Sequence, residues 1–157
     1  MTDTRPLGPE GNEFGLMSDG SVVPFKRSDV SILNEWDYAH FMGEDGTGGG
    51  GHHYQSRIPY ASKFPSEIDS LDDLRQVQSA ALRNYSLSRY DAHHRSYVFR
   101  ALISVNKSVM IVDIAIDSWG EPRTIYPVNG NDVWASDALG APSHPLPLDL
   151  RLLSEWE

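Results

Sequence analysis

The hydrophobic period changes once along this chain, and that change sets the fold class. In "SEIDSLDDLRQVQSAALRNYS", Leu71, Leu74, Val77 and Ala81 fall on one helical stripe. Ser66 and Ser70 are both candidate N-caps, and acidic residues crowd the first turns, where they complement the helix dipole. From Tyr97 the period becomes two. Tyr97, Phe99, Ala101, Ile103 and Val105 share one face of "YVFRALISV". "NKS" then turns the chain back into "VMIVDIAI", which predicts a β-hairpin. "DSWGEP" is the next turn and "RTIYPV" a third short strand. Helices ahead of strands predict an α+β domain, N-terminal helices followed by an antiparallel sheet.

The ends are less regular. Residues 1–27 are rich in Gly, Pro, Asp and Ser and read as a linker or arm, leaving 28–157 as the domain. "SDVSILNEWDYAH" predicts a short helix capped at Ser28 and ending near Ala39. The polar stretch "SRYDAHHRS" separates the main helix from the hairpin. The tail "ASDALGAPSHPLPLDLRLLSEWE" is broken by prolines and is expected to end in a short helix. The longest apolar run has strand length, so no membrane span is predicted. The absence of cysteine excludes a disulfide framework and thiolate chemistry. No basic segment followed by an apolar one opens the sequence, so no ordinary signal peptide is read. The net charge of -9 argues against tight, non-specific binding to nucleic acid.

Chemistry concentrates in "HFMGEDGTGGGGHHY", His40 to Tyr54. Two imidazoles brought together across this loop, His40 and His52, can divide general acid and base work near neutral pH. The glycine N–H groups can form an anion-binding nest. The loop is no P-loop, because no G-K-[ST] follows, and no dinucleotide fingerprint, because no strand and helix flank it. In "RTIYP", Thr124 and Tyr126 project from one strand face, a hydroxyl beside an aromatic ring, suited to a phosphate oxygen and a base. His93 and His94 form a second doublet, read as surface residues; the Cys or acidic partners of a zinc site are missing at short spacing.

Taken in order, His40, "GED", "GGGGHHY", Phe64-Pro65, a helix, a hairpin and "TIYP" resemble the bacterial EndoU nuclease family. The likeness spans about residues 36 to 130, and "HHYQSRIPYASKFP" aligns without gaps if His52, not His53, is the second family histidine. The resemblance implies an EndoU-like fold and a metal-independent endoribonuclease with no cofactor. His40 and His52 would be the catalytic pair, Thr124 and Tyr126 the phosphate- and base-contacting residues, with Gly51 and Lys63 touching substrate. Relatives often carry a lysine where this chain has Ala61; Lys63, two places on, is the candidate substitute. The product would be a 2′,3′-cyclic phosphate, and DNA would be inert. The family implies an RNA substrate, tRNA included, a cognate immunity protein, and delivery as part of a larger toxin acting in a target cell's cytoplasm. Two rival readings stand beside it: a non-catalytic acidic interaction module, and a metal-dependent hydrolase using the histidine doublets.

Overall fold

A computed structural model describes residues 14–156. The helix α1 spans Glu35–Met42 and α2 spans Leu71–Asn84. The strands are β1 (Tyr85–Asp91), β2 (Ser96–Val105), β3 (Ser108–Ile116), β4 (Pro122–Gly130), β5 (Trp134–Ser136) and β6 (Pro142–Pro145). The first four form one antiparallel sheet in the order β1-β2-β3-β4, and β5 and β6 pair as a separate hairpin. The α+β class with helices ahead of an antiparallel sheet is therefore observed. No helix among the described residues is long and apolar enough to cross a membrane.

The side-chain alternation of β2 and β3 decides which sheet face is covered. Phe99, Ile114 and Ile125 stand opposite one another across β2, β3 and β4. They join Leu74, Val77, Ala81 and Leu82 of α2 in one buried core. The opposite face carries a second aligned row, Arg100, Asp113 and Tyr126. Ser70 caps α2 by accepting from the Asp73 N–H, so the second of the two candidate serines is the cap.

Several local expectations are corrected. Helix α1 is capped by Asn34, whose side chain accepts from the N–H groups of Trp36 and Asp37, and it runs on to Met42. Ser28 lies instead in a 3-10 turn, Arg27–Asp29. The stretch read as a polar connector, residues 88–96, holds the second half of β1, in which Leu87 and Ser88 are buried. The tail forms strands β5 and β6 before it ends, as expected, in a short helix, the 3-10 helix Leu150–Leu153. The first 13 residues of the expected arm lie outside the described residues. Residues 14–26 do lack helix and strand, yet they are packed. Met17 and Phe25 are buried, Phe14 meets Phe25, Tyr85 and Phe99, and the Ser18 N–H donates to the Ser88 carbonyl at 2.9 Å.

The β2–β3 turn places Asn106 and Lys107 at φ of 51° and 68°, as two-residue hairpin turns require. Asn tolerates this backbone and Lys does not. Replacing the exposed Lys107 with Gly should raise stability by up to about 1 kcal/mol, because the steric penalty of the left-handed region disappears. Urea unfolding of the two proteins measures it; a lower midpoint for Lys107→Gly would contradict the turn geometry.

Candidate active site

The loop between the two histidines is clasped at its base. At the end of α1, Gly43 adopts φ 75° and its N–H donates to the His40 carbonyl at 3.0 Å. The chain then makes its excursion and returns to the same oxygen: the Gly51 N–H donates to His40 O at 2.8 Å. Two further backbone bonds continue the seam, His53 N–H to Phe41 O at 3.1 Å and Phe64 N–H to His52 O at 2.8 Å. Gly50 and Gly51 are required here by space as well as by φ (69° and 72°). A Cβ on Gly50 would overlap the His40 carbonyl, and one on Gly51 would overlap Ile58.

This seam brings His40 and His52 to one crevice, which Thr124 also lines. Its enclosed volume is about 10 Å³, space for one water, so any larger ligand sits at its mouth. Each ring is oriented through Nδ1. His40 Nδ1 donates to Asp45 Oδ2 at 2.7 Å, and Asp45 is itself held by the Thr47 hydroxyl at 2.8 Å. Hydrogen bonds from Thr47, with the contact to His40, hold the Asp45 carboxyl below its ordinary range. His52 Nδ1 lies 2.7 Å from the Ser62 carbonyl. A carbonyl only accepts, so Nδ1 carries the proton and Nε2 presents a lone pair.

Burial pushes His52 down to about pKa 4, with the positive charges of Lys63 and His40 adding to the effect. The ring is neutral at neutral pH. An unfolded chain takes up this proton near pH 6.5, whereas the folded one resists it down to about 4. The group's share of stability is therefore complete above pH 6.5 and lost as pH falls toward 4.

Tyr126 forms the back of the His52 ring, stacked at a centroid separation of 5.5 Å and 29° between planes. Its hydroxyl donates to Asp113 Oδ2 at 3.1 Å, and Arg100 grips the same carboxylate through Nε at 2.7 Å and Nη2 at 2.9 Å. Burial first, then the Asp113 charge, raises the Tyr126 hydroxyl well above its ordinary pKa, so it stays a donor.

The placement separates the predicted site residues into two sets. His40, His52 and Thr124 converge on the crevice, with Tyr126 behind His52. Gly51 and Lys63, expected to contact substrate, are structural instead. Lys63 is fully buried and its ammonium donates to the Gly51 carbonyl at 2.6 Å. Burial, and then the nearby Arg57 charge, lowers it to about pKa 8. Both backbone polar groups of Gly51 are thereby engaged, one with His40 and one with Lys63. His53 is also structural: Nδ1 accepts from the Gln55 N–H at 3.0 Å, Nε2 meets Asp69 at 2.6 Å, and the ring packs edge-on against Phe41. His93 and His94 touch each other at the surface. Among the described residues no three His, Asp or Glu side chains gather as metal ligands do.

Sequence reasoning did not assign Asp45, Arg100 or Asp113. Asp45 had a readable signal, because it stands in the loop and a working imidazole needs a partner on its second nitrogen. Comparison of the chain with protein-family models, curated proteins and solved structures finds no match.

The two ends of the glycine loop differ from its tip in a measurable way. Gly46 has φ 81° but open space around it, so Gly46→Ala should cost about 1 kcal/mol from backbone strain alone. Gly51→Ala adds the overlap with Ile58 and should cost about 1–3 kcal/mol more. Chemical denaturation of both variants tests this; equal losses would mean the seam is not tightly packed.

Proposed function

We propose that this protein is an endoribonuclease that cleaves RNA by transphosphorylation. The observation that carries the reading is the convergence of His40 and His52 on one crevice, each with Nδ1 tied off and Nε2 left for proton transfer. The resemblance to the EndoU nucleases supports it independently.

His52 is the base. It is neutral, and it takes the proton of the ribose 2′-hydroxyl as that oxygen attacks the adjacent phosphorus. The phosphate's negative charge, arriving beside a desolvated imidazole, favours the protonated ring and raises its basicity as the attack proceeds. His40 is the acid. It gives a proton to the departing 5′-oxygen, and Asp45 fixes its tautomer. One bond to phosphorus forms and one breaks, leaving a 2′,3′-cyclic phosphate and a free 5′-hydroxyl. DNA has no 2′-hydroxyl and is left intact. The Thr124 hydroxyl at the crevice donates to a phosphate oxygen, and the Tyr126 ring orients His52. Such an activity would be lethal to its producer, so a cognate immunity protein covers the crevice, and a basic or neutral face suits a partner for a chain of charge -9. tRNA is the substrate the family likeness favours, and delivery within a larger toxin to a target-cell cytoplasm is the setting.

His40→Ala and His52→Ala should each lower RNA cleavage about 10²–10⁴-fold with little loss of thermal stability. His53→Ala should do the reverse, because it removes a buried bridge between the Gln55 amide and Asp69. Cleavage of a labelled RNA in chelator, with melting curves of the variants, reads both effects. An inactive wild-type protein would favour the interaction module; activity lost only on chelation would favour the metal-dependent hydrolase.

The pH profile follows from burial. In kcat/KM, which reports the free protein, the acidic limb should rise through about pH 4, where His52 loses its proton. Two ordinary imidazoles would instead give a bell with both limbs near about pH 6.5. An acidic limb found there would assign the base to another group.

A further inference from the structure

Beside the crevice, on the open face of the sheet, lies a hollow of about 390 Å³, with Thr124 and Tyr126 on the wall it shares with the site. Its size falls in the range of about 300–1,000 Å³ usual for small-molecule sites. Val98 and Ala115, cross-strand neighbours, form an apolar floor, both nearly covered. Arg89 and Arg123 stand at its rim. Arg123 and Thr124 line the hollow and the crevice alike, so the two adjoin.

The charges at the rim are prepared for an anion. Arg89 is held from behind by the Trp156 ring, 4.5 Å from its guanidinium carbon. The partner of Arg123 is Asp117, at 3.7 Å; the guanidinium is largely in solvent, and at that separation the attachment is readily exchanged. The acid of the hollow, Asp91, is already engaged: it accepts from the N–H groups of His93 and His94 and from His94 Nδ1 at 2.9 Å. An apolar floor beneath two guanidinium groups suits a planar base with a phosphate attached.

We propose that this hollow is a subsite for the neighbouring nucleotide of a single-stranded RNA, with Arg89 and Arg123 on the phosphate one step along from the scissile one and Val98 and Ala115 beneath the base. The proposal rests on the endoribonuclease reading. It makes the protein a reader of single strands, because a base in a duplex is stacked and paired and cannot lie on the sheet.

A dinucleoside monophosphate contains the scissile phosphate but lacks the next one, so it separates the subsite from the chemistry. For the Arg89→Ala/Arg123→Ala variant, KM for a pentanucleotide should rise about tenfold with kcat little changed. The slope of log(kcat/KM) against log salt should flatten by about 0.7, the counterion release that accompanies neutralising one phosphate of a single strand. Kinetics of Arg89→Ala on the dinucleotide should not change, Arg89→Lys/Arg123→Lys should restore most of the affinity, and Ala115→Leu should weaken the pentanucleotide alone. If the double variant does not fold, Arg89→Ala is read by the same criteria. Equal losses on both substrates, or none on the longer one, would overturn the subsite. Should the wild-type protein cut neither substrate, the endoribonuclease reading fails by itself. The subsite is then decided by fluorescence anisotropy of a labelled pentanucleotide: a tenfold weaker Kd in the variant upholds it, an unchanged Kd ends it.

Discussion

One carbonyl oxygen organises this molecule's candidate chemistry. His40 O accepts the N–H of Gly43, which ends α1, and the N–H of Gly51, which closes the loop. Between these two donors the chain makes its whole glycine-rich excursion. The lost freedom of the glycines is an entropic cost, and the closure is reinforced where the loop returns. The buried Lys63 ammonium holds the Gly51 carbonyl, a charge-assisted bond of the kind worth about 1.5–3 kcal/mol. The loop is thus tight where it joins the histidines and open around Gly46 and Gly48, where nothing crowds the backbone.

A second constraint reaches the same histidines from the sheet. The register of β2, β3 and β4 aligns Arg100, Asp113 and Tyr126 in one row. The first two form a buried bidentate pair and the third donates its hydroxyl to that pair. Removing one member of such a pair strands the other charge, a loss of about 3–5 kcal/mol. The stacked Tyr126 ring carries this rigidity to His52. Arg100 also donates to the carbonyl of Leu152 at 3.3 Å and lies over the Trp156 ring, so the C-terminal segment is drawn onto the same face. The sheet therefore has two different faces: one closed by α2 over apolar residues, the other held by ions and hydrogen bonds beside the crevice.

What the sequence reveals and conceals follows from these interactions. The period of Leu74, Val77 and Ala81, and the alternation from Phe99 to Val105, were legible because burial against a single partner layer imposes them. The β1 strand was not. It is an edge strand whose two buried residues, Leu87 and Ser88, are adjacent and so lie on opposite faces, Leu87 paired with Arg100 and Ser88 with Phe99, which erases the alternation. The packed segment from Phe14 to Phe25 was concealed by turn residues whose aromatic neighbours meet the core only in three dimensions. At the site, His40, His52 and Thr124 were marked by residue type and spacing. The work of Lys63 was hidden: its ammonium turns inward to a carbonyl, and nothing in a sequence distinguishes that from a lysine facing a phosphate.

Charge completes the physical account. A chain at -9 repels a polyanion at long range, but at physiological salt that repulsion fades over about 8 Å. Inside this distance the local groups decide. On the open face of the sheet, Asp113 is neutralised by Arg100, and Asp91 is satisfied by His93 and His94. Arg89 and Arg123 remain as the charges presented to a ligand at the hollow. If the strand proposed above is the ligand, such an arrangement would give little attraction to nucleic acid in general and a short-ranged grip on a strand that lies in the right place. Under the endoribonuclease proposal, selectivity would come from fit beside the crevice, and the same net charge would slow the approach of the strand and help its release once cut.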